Sequence, residues 1–217
     1  MSALSFDPHA KRPVLVAGTP LAEARAAVVL AHGRGASARD MLALAQEIDV
    51  ADVAWLAPDA ANNAWYPARF MEPIAHNEPW LSSALLCLGR VVQSVLDAGI
   101  PADRLVLGGF SQGACLALEF AARHATQYGG VFALAGGLIG PDGVARDYPG
   151  AFRSTPVFIG VGDQDFHIPV SRARHSSDVF TRMGAVVDLR VYPGLQHAVV
   201  PDEVEAVRAI VEGARNA

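Results

Sequence analysis

The sequence predicts an α/β fold, a mostly parallel central sheet with helices on both faces. Two observations predict it. Short β-branched runs alternate with longer runs of helical period almost from end to end. The strand-like runs are also apolar without interruption, as in strands covered on both faces. The chain of 217 residues, 52% hydrophobic and 18% charged, suits a packed core rather than disorder. No linker, repeat or low-complexity tract divides it, so one domain over 1–217 is expected.

The elements follow in order. "AAVVLAHG" is a β-branched run closed by glycine. In "SARDMLALAQEI", Ser37 and Asp40 have capping-box spacing, and Met41, Leu44, Ala45 and Ile48 recur at helical period. "VAWLAP" is strand-like again, and residues 58–77 have no clear period. A long helix is expected from about Glu78, with Asn77 as N-cap and Pro79 in the first turn. Leu81, Ala84, Leu85, Leu88, Val91, Val95 and Leu96 make its apolar face, and Gly99 stops it. "RLVLGGF" is a buried strand, and "SQGACLALEFAARH", apolar on most sides, is a central helix. "GGVFALAGG", "TPVFIGVG" and "VDLRVYPG" are three more strands. "SRARHSSDVFTRMG" and "DEVEAVRAIVEGA" are the helices between and after them.

Composition removes several classes. The net charge of −5, with Lys11 the only lysine, argues against nucleic-acid binding, which needs clustered cations. Cys87 and Cys115 fall in apolar helical patterns and read as reduced core thiols, with no spacing that suggests a metal site. The first residues, "MSALSFDPHAKRP", lack a signal-peptide layout, and no apolar run approaches the ~20 residues of a membrane span. A soluble cytoplasmic protein is expected.

In a parallel sheet, reactive groups collect where strands end. His32, Ser111, Asp163, Asp165 and His197 all fall at such ends. Gly109-Phe110-Ser111-Gln112-Gly113 fits G-x-S-x-G between a strand and a helix. Small neighbours there leave room for a strained turn that displays the serine. Serine needs a base to react at neutral pH. The chain order Ser111, aspartate, His197 fits a nucleophile, an orienting acid and a general base. Asp163 and Asp165 could both reach the same loop tip. His167 lies too close in sequence to Asp165 to be the base and is expected at a rim. Acyl transfer also needs two donors for the oxyanion. The backbone N–H of Gln112 is one, and that of Arg34, in the glycine-rich loop "HGRGAS", is the other; His32 is expected to hold this loop.

Together "AHGRGAS", "LGGFSQGACLAL", "GVGDQDFHIPV" and "YPGLQHAV" resemble the carboxylesterase/phospholipase family of α/β-hydrolases, which includes bacterial carboxylesterases and acyl-protein thioesterases. The resemblance runs from about Val28 to Ile210. It implies the α/β-hydrolase fold without a large lid, the acid at Asp165, the base at His197 and the second oxyanion donor at Arg34. It implies a serine hydrolase cleaving small or short-to-medium-chain carboxylic esters, with acyl thioesterase or lysophospholipase activity as the rival. No metal or organic cofactor is implied, and the family analogy suggests a homodimer. Relatives often carry leucine at Arg34, so its guanidinium points to an anionic or polar substrate. They often read H-G-D where this chain has Val161-Gly162-Asp163. In "AWYPARFMEPIAHNEPW", Trp65, Tyr66, Phe70 and Met71 are expected to line the pocket, with Trp80 in the core.

Two other readings use the same residues. Gly33-Arg34-Gly35-Ala36-Ser37-Ala38 with Asp59 fits the dinucleotide-binding fingerprint of an NAD-dependent oxidoreductase. It leaves Ser111, Asp165 and His197 without a joint role. A non-catalytic binding protein on a hydrolase fold would usually lack one of those three.

Overall fold

In the computed structural model, residues 6–217 are described. The strands are β1 (Val14–Gly18), β2 (Ala26–Ala31), β3 (Val53–Pro58), β4 (Leu105–Phe110), β5 (Gly130–Leu134), β6 (Pro156–Gly162) and β7 (Val186–Tyr192). The helices are α1 (Ala38–Ile48), α2 (Trp80–Asp97), α3 (Gln112–Arg123), α4 (Val170–Arg182) and α5 (Pro201–Asn216). The seven strands form one sheet in the order β1-β3-β2-β4-β5-β6-β7. All neighbours are parallel except β1, which runs antiparallel to β3. This is the mostly parallel α/β sheet that the alternation of runs predicts, and it fits the α/β-hydrolase fold that the resemblance implies.

The pleat explains the two layers. Alternate residues of a strand face opposite ways, so Ala27, Val29 and Ala31 of β2 join the core under α2, α3 and α4. Ala26, Val28 and Leu30 join the core under α1 and α5. β4 sits mid-sheet, and α3, which follows it, is buried at every position from Gln112 to Ala122.

Two elements depart from expectation. β1 is half exposed on alternate residues and closes the sheet edge, a short run that the buried-strand pattern does not pick out. α2 begins at Trp80, and its N-cap position is Pro79 rather than Asn77. The Asn77 side chain is instead spent on the preceding loop, accepting from Ala68 N–H and donating to the Arg69 carbonyl. Leu96 is 37% exposed, and Val92 takes its place on the buried face of α2.

Candidate active site

β4 ends at Phe110 and α3 starts at Gln112, so one residue, Ser111, turns the chain. It does so at φ 55°, a left-handed conformation that costs a non-glycine residue of order 1–3 kcal/mol and must be held by its surroundings. The hold comes from close packing. A Cβ on either Gly109 or Gly113 would collide with the carbonyl oxygen of Ala31 at the end of β2. Those two glycines let β2 approach the turn, and Ser111 N–H bonds the Leu134 carbonyl on the other side.

Ser111 Oγ lies 2.7 Å from His197 Nε2, and His197 Nδ1 lies 2.6 Å from Asp165 Oδ2. The carboxylate can only accept, so Nδ1 carries the ring proton and Nε2 is free to accept from the serine. The second oxygen of Asp165 accepts from the backbone N–H groups of His167 and Ile168. Its side chain is fully buried, while that of His197 is 20% exposed. Phe110 packs against the imidazole with ring centroids 5.0 Å apart.

The Asp165 and His197 loops are stitched to each other. Asp163 Oδ1 accepts from Gly194 N–H at 2.7 Å, and Gln164 N–H bonds the Leu195 carbonyl. A side chain at Gly162 would collide with that same carbonyl. Of the two candidate acids, Asp165 therefore faces the imidazole and Asp163 ties the turn. His167 is exposed, its ring 4.8 Å from that of His197.

The loop after β2 passes beside the serine. A Cβ on Gly33 would sit 3.4 Å from Ser111 Cβ. The N–H of Gln112 precedes the first intrahelical bond of α3, and neither it nor the N–H of Arg34 has a partner among the described residues. His32 holds this loop as a neutral ring: Nδ1–H donates to the Gly33 carbonyl at 2.7 Å, and Nε2 accepts from Ala60 N–H at 3.0 Å. Burial lowers its pKa, consistent with the neutral form. Asp59, the ribose ligand of the dinucleotide reading, accepts instead from Ala38 N–H at the start of α1.

The Arg34 side chain is engaged by the loop beside the cavity. Its guanidinium donates to the carbonyls of Tyr66, Pro67 and Ala68. These bonds tie the guanidinium to the 66–68 loop, at the rim of the cavity that Arg34 also lines. Gln112 bridges the same loop, accepting from Trp65 N–H and donating to the Tyr66 carbonyl.

A cavity of about 440 Å³ opens on Ser111 and His197. Tyr66 and Phe70 line it, with Cys115 and Ile168. Trp65 and Met71 do not. Trp65 is fully buried, its indole N–H on the His32 carbonyl and its ring beside His9 and His32. Met71 is half-buried and packs on the core. Trp80, half-buried, meets Phe6 and His9 edge-on. A larger hollow of about 580 Å³ lies between β6, β7 and α5, but no histidine lines it and it holds no nucleophile–base pair. Among the described residues there is no group of three metal-ligating side chains and no helix long and apolar enough to cross a membrane.

His9 and Asn77 have no periodic signal in the sequence. His9 Nε2 donates to the Trp65 carbonyl and its Nδ1 accepts from Ala61 N–H, pinning the loop from the N-terminal side. Only a polar residue beside a turn hints at either role.

Comparison with known proteins agrees with this architecture. The sequence pattern of the phospholipase/carboxylesterase family matches residues 15–213. A phospholipase/carboxylesterase from Dyadobacter fermentans of known crystal structure is 42% identical, superposes with a TM-score of 0.89, and the match covers 93% of this chain and 97% of that one. An acyl-protein thioesterase 1 from Neurospora crassa is 27% identical over 91% of this chain and 90% of its own length. The acyl-protein thioesterase 1 of Gibberella zeae is 32% identical over 128 residues, 56% of this chain. That match spans only about half the relative's length, 53%.

Proposed function

The chain belongs to the phospholipase/carboxylesterase family, and from that premise we propose that it is a serine hydrolase cleaving small or short-to-medium-chain carboxylic esters through an acyl-enzyme. The single observation that carries the reading is the continuous hydrogen-bonded line from Ser111 Oγ through His197 to Asp165. A buried carboxylate, an oriented imidazole and a hydroxyl on a strained turn are the parts that activate a serine.

The geometry supports the following steps. Ser111 Oγ attacks the ester carbonyl carbon while its proton passes to His197 Nε2. The carbonyl oxygen becomes an oxyanion and meets the N–H groups of Arg34 and Gln112. Asp165 stabilises the imidazolium. Collapse of the intermediate breaks the ester C–O bond, and the leaving alcohol takes the proton from Nε2. Water then gives a proton to the same nitrogen, its oxygen attacks the acyl-serine, and the carboxylic acid leaves as Ser111 recovers its proton.

The same acyl-enzyme serves a thioester, with a thiol in place of the alcohol. The names of the acyl-protein thioesterase relatives favour that as the second reading. The cavity of about 440 Å³, lined by Cys115 with Tyr66 and Phe70, has room for small or short-to-medium-chain acyl groups. Intact-mass analysis after a fluorophosphonate probe, with Ser111→Ala alongside, tests the mechanism. One adduct on the wild type alone is expected, and no adduct on folded wild type overturns it. A 4-nitrophenyl ester chain-length series and a matched thioester series then separate the two readings.

A further inference from the structure

The loop that walls the cavity is irregular, yet its backbone is held at every carbonyl from 66 to 70. Tyr66 O accepts from Gln112 and Arg34, and Pro67 O and Ala68 O from Arg34. Arg69 O accepts from Asn77, which is fully buried, and from Glu72 N–H. Phe70 O accepts from Gly140 N–H. Backbone so fully satisfied presents its side chains from a fixed frame.

That frame carries Arg69 into the cavity lining. Arg69 is exposed and has no hydrogen-bond or ion-pair partner for its guanidinium among the described residues. Glu72, three residues on, is turned to His76. The cavity is lined by Arg34, Arg69 and His167 and by no aspartate or glutamate, in a chain whose net charge is −5. The neighbouring hollow, which shares Gly33, Ala36 and Phe110 with it, is lined by Asp40, Glu47 and Glu205. Charge is thus segregated between two adjoining concavities, and only the one that opens on Ser111 favours an anion.

We propose that Arg69 is a specificity-determining residue that selects esters carrying an anionic group, a carboxylate or phosphate, near the scissile bond. The proposal rests on Ser111 being the nucleophile. A planar guanidinium held on a rigid loop suits two-point contact with either anion. Arg34, spent on three carbonyls, adds positive field without taking the ligand. Because the contact exists in ground and transition states alike, its loss falls on KM more than on kcat.

The test compares kcat/KM, read as acid released, for ethyl hexanoate, monoethyl adipate and 2-(butyryloxy)ethyl phosphate. The wild type is expected to prefer at least one anionic ester over the neutral one by about tenfold, the scale of one charged hydrogen-bonded contact. The two anionic arms separate a carboxylate on the acyl side from a phosphate on the alcohol side. In Arg69→Gln the preference collapses toward one, and in Arg69→Lys part of it returns. Raised salt erodes it, as for any exposed pair. Arg25→Gln, at the exposed residue just before β2 and so at the opposite end of that strand from Ser111, keeps it. No anionic preference in the wild type, or a preference unmoved in Arg69→Gln, overturns the proposal while ester cleavage stands. Failure to cleave any ester, with no fluorophosphonate adduct, removes the Ser111 reading and this one with it.

Discussion

Ser111 Oγ and His197 Nε2 meet at 2.7 Å across 86 residues of sequence. The sheet makes that meeting: parallel strands end on one edge, so the turn after β4 and the loop after β7 emerge on the same side. Ser111→Ala and His197→Ala truncate partly buried side chains at the mouth of the cavity, outside the two core clusters. Both variants are expected to fold, with unchanged circular dichroism, and to lose at least ~10³-fold in turnover. Ser111→Ala also loses fluorophosphonate labelling. Turnover within tenfold of the wild type in either variant would place the chemistry elsewhere.

The two aspartates of "GDQD" separate by what they touch. Asp165 binds the imidazole, and Asp163 binds Gly194 N–H. Asp165→Asn is expected to reduce kcat by orders of magnitude, because an amide N–H facing Nδ1 disfavours the tautomer with a free Nε2. Asp163→Asn keeps an oxygen for Gly194 and is expected to cost under ~1 kcal/mol of stability and little activity. Steady-state kinetics on the pair ranks them, and the reverse order would assign the acid to Asp163.

Arg34 offers a sharper structural test than its place beside Ser111 suggests. Three carbonyls of the 66–68 loop converge on one guanidinium. Arg34→Leu keeps the backbone N–H but removes all three bonds. It is expected to lower stability by about 1–3 kcal/mol and to lower kcat/KM through the loosened cavity wall. Arg34→Lys, a point charge without the fork, recovers less than half of the stability loss. Equal melting temperatures for wild type and Arg34→Leu would show that the clamp carries no weight.

Strands β2 to β7, the helices and the G-x-S-x-G turn are legible because each is written locally, in a period or in small residues around one serine. The cavity wall is not. Trp65 reads as a lining aromatic in an irregular segment, yet its indole N–H finds the carbonyl of His32, 33 residues away. Asn77 reads as a helix cap, yet it reaches back to Ala68 and Arg69. β1 runs antiparallel at the edge, where one face is wet and the apolar run is short. In each case the partner is supplied by tertiary approach of loops, which no local period encodes.

Two histidines behind that wall set an acid limit on stability. His9 and His32 each use a ring nitrogen to accept a backbone N–H, from Ala61 and Ala60 respectively, which an imidazolium cannot do. Burial is the main cause that lowers both pKa values below the usual histidine value of 6.5. As pH falls through 6.5, the unfolded chain takes up these protons before the folded one, so stability falls. The loss levels off below the folded values. Urea melts at stepped pH are expected to show this slope, and His9→Gln is expected to flatten it. A slope unchanged in His9→Gln would leave that histidine without a part in it.

Glu203 acts in the opposite direction. It is almost fully buried in the first turn of α5, where Oε2 accepts from Val200 N–H. Its carboxyl also packs so tightly on β6 that a side chain at Gly160 would collide with it. Burial pushes its pKa up to about 7. A carboxyl that is harder to ionise folded than unfolded destabilises the fold as pH rises from about 4.5, and the penalty is complete above pH 7. Glu203→Gln keeps the acceptor for Val200 and removes the buried charge. It is expected to match the wild type near pH 4.5 and to exceed it at pH 8, by up to ~3 kcal/mol. Thermal melts of both proteins at the two pH values decide it, and a variant less stable at pH 8 would mean that the ionised carboxylate is needed at the helix start.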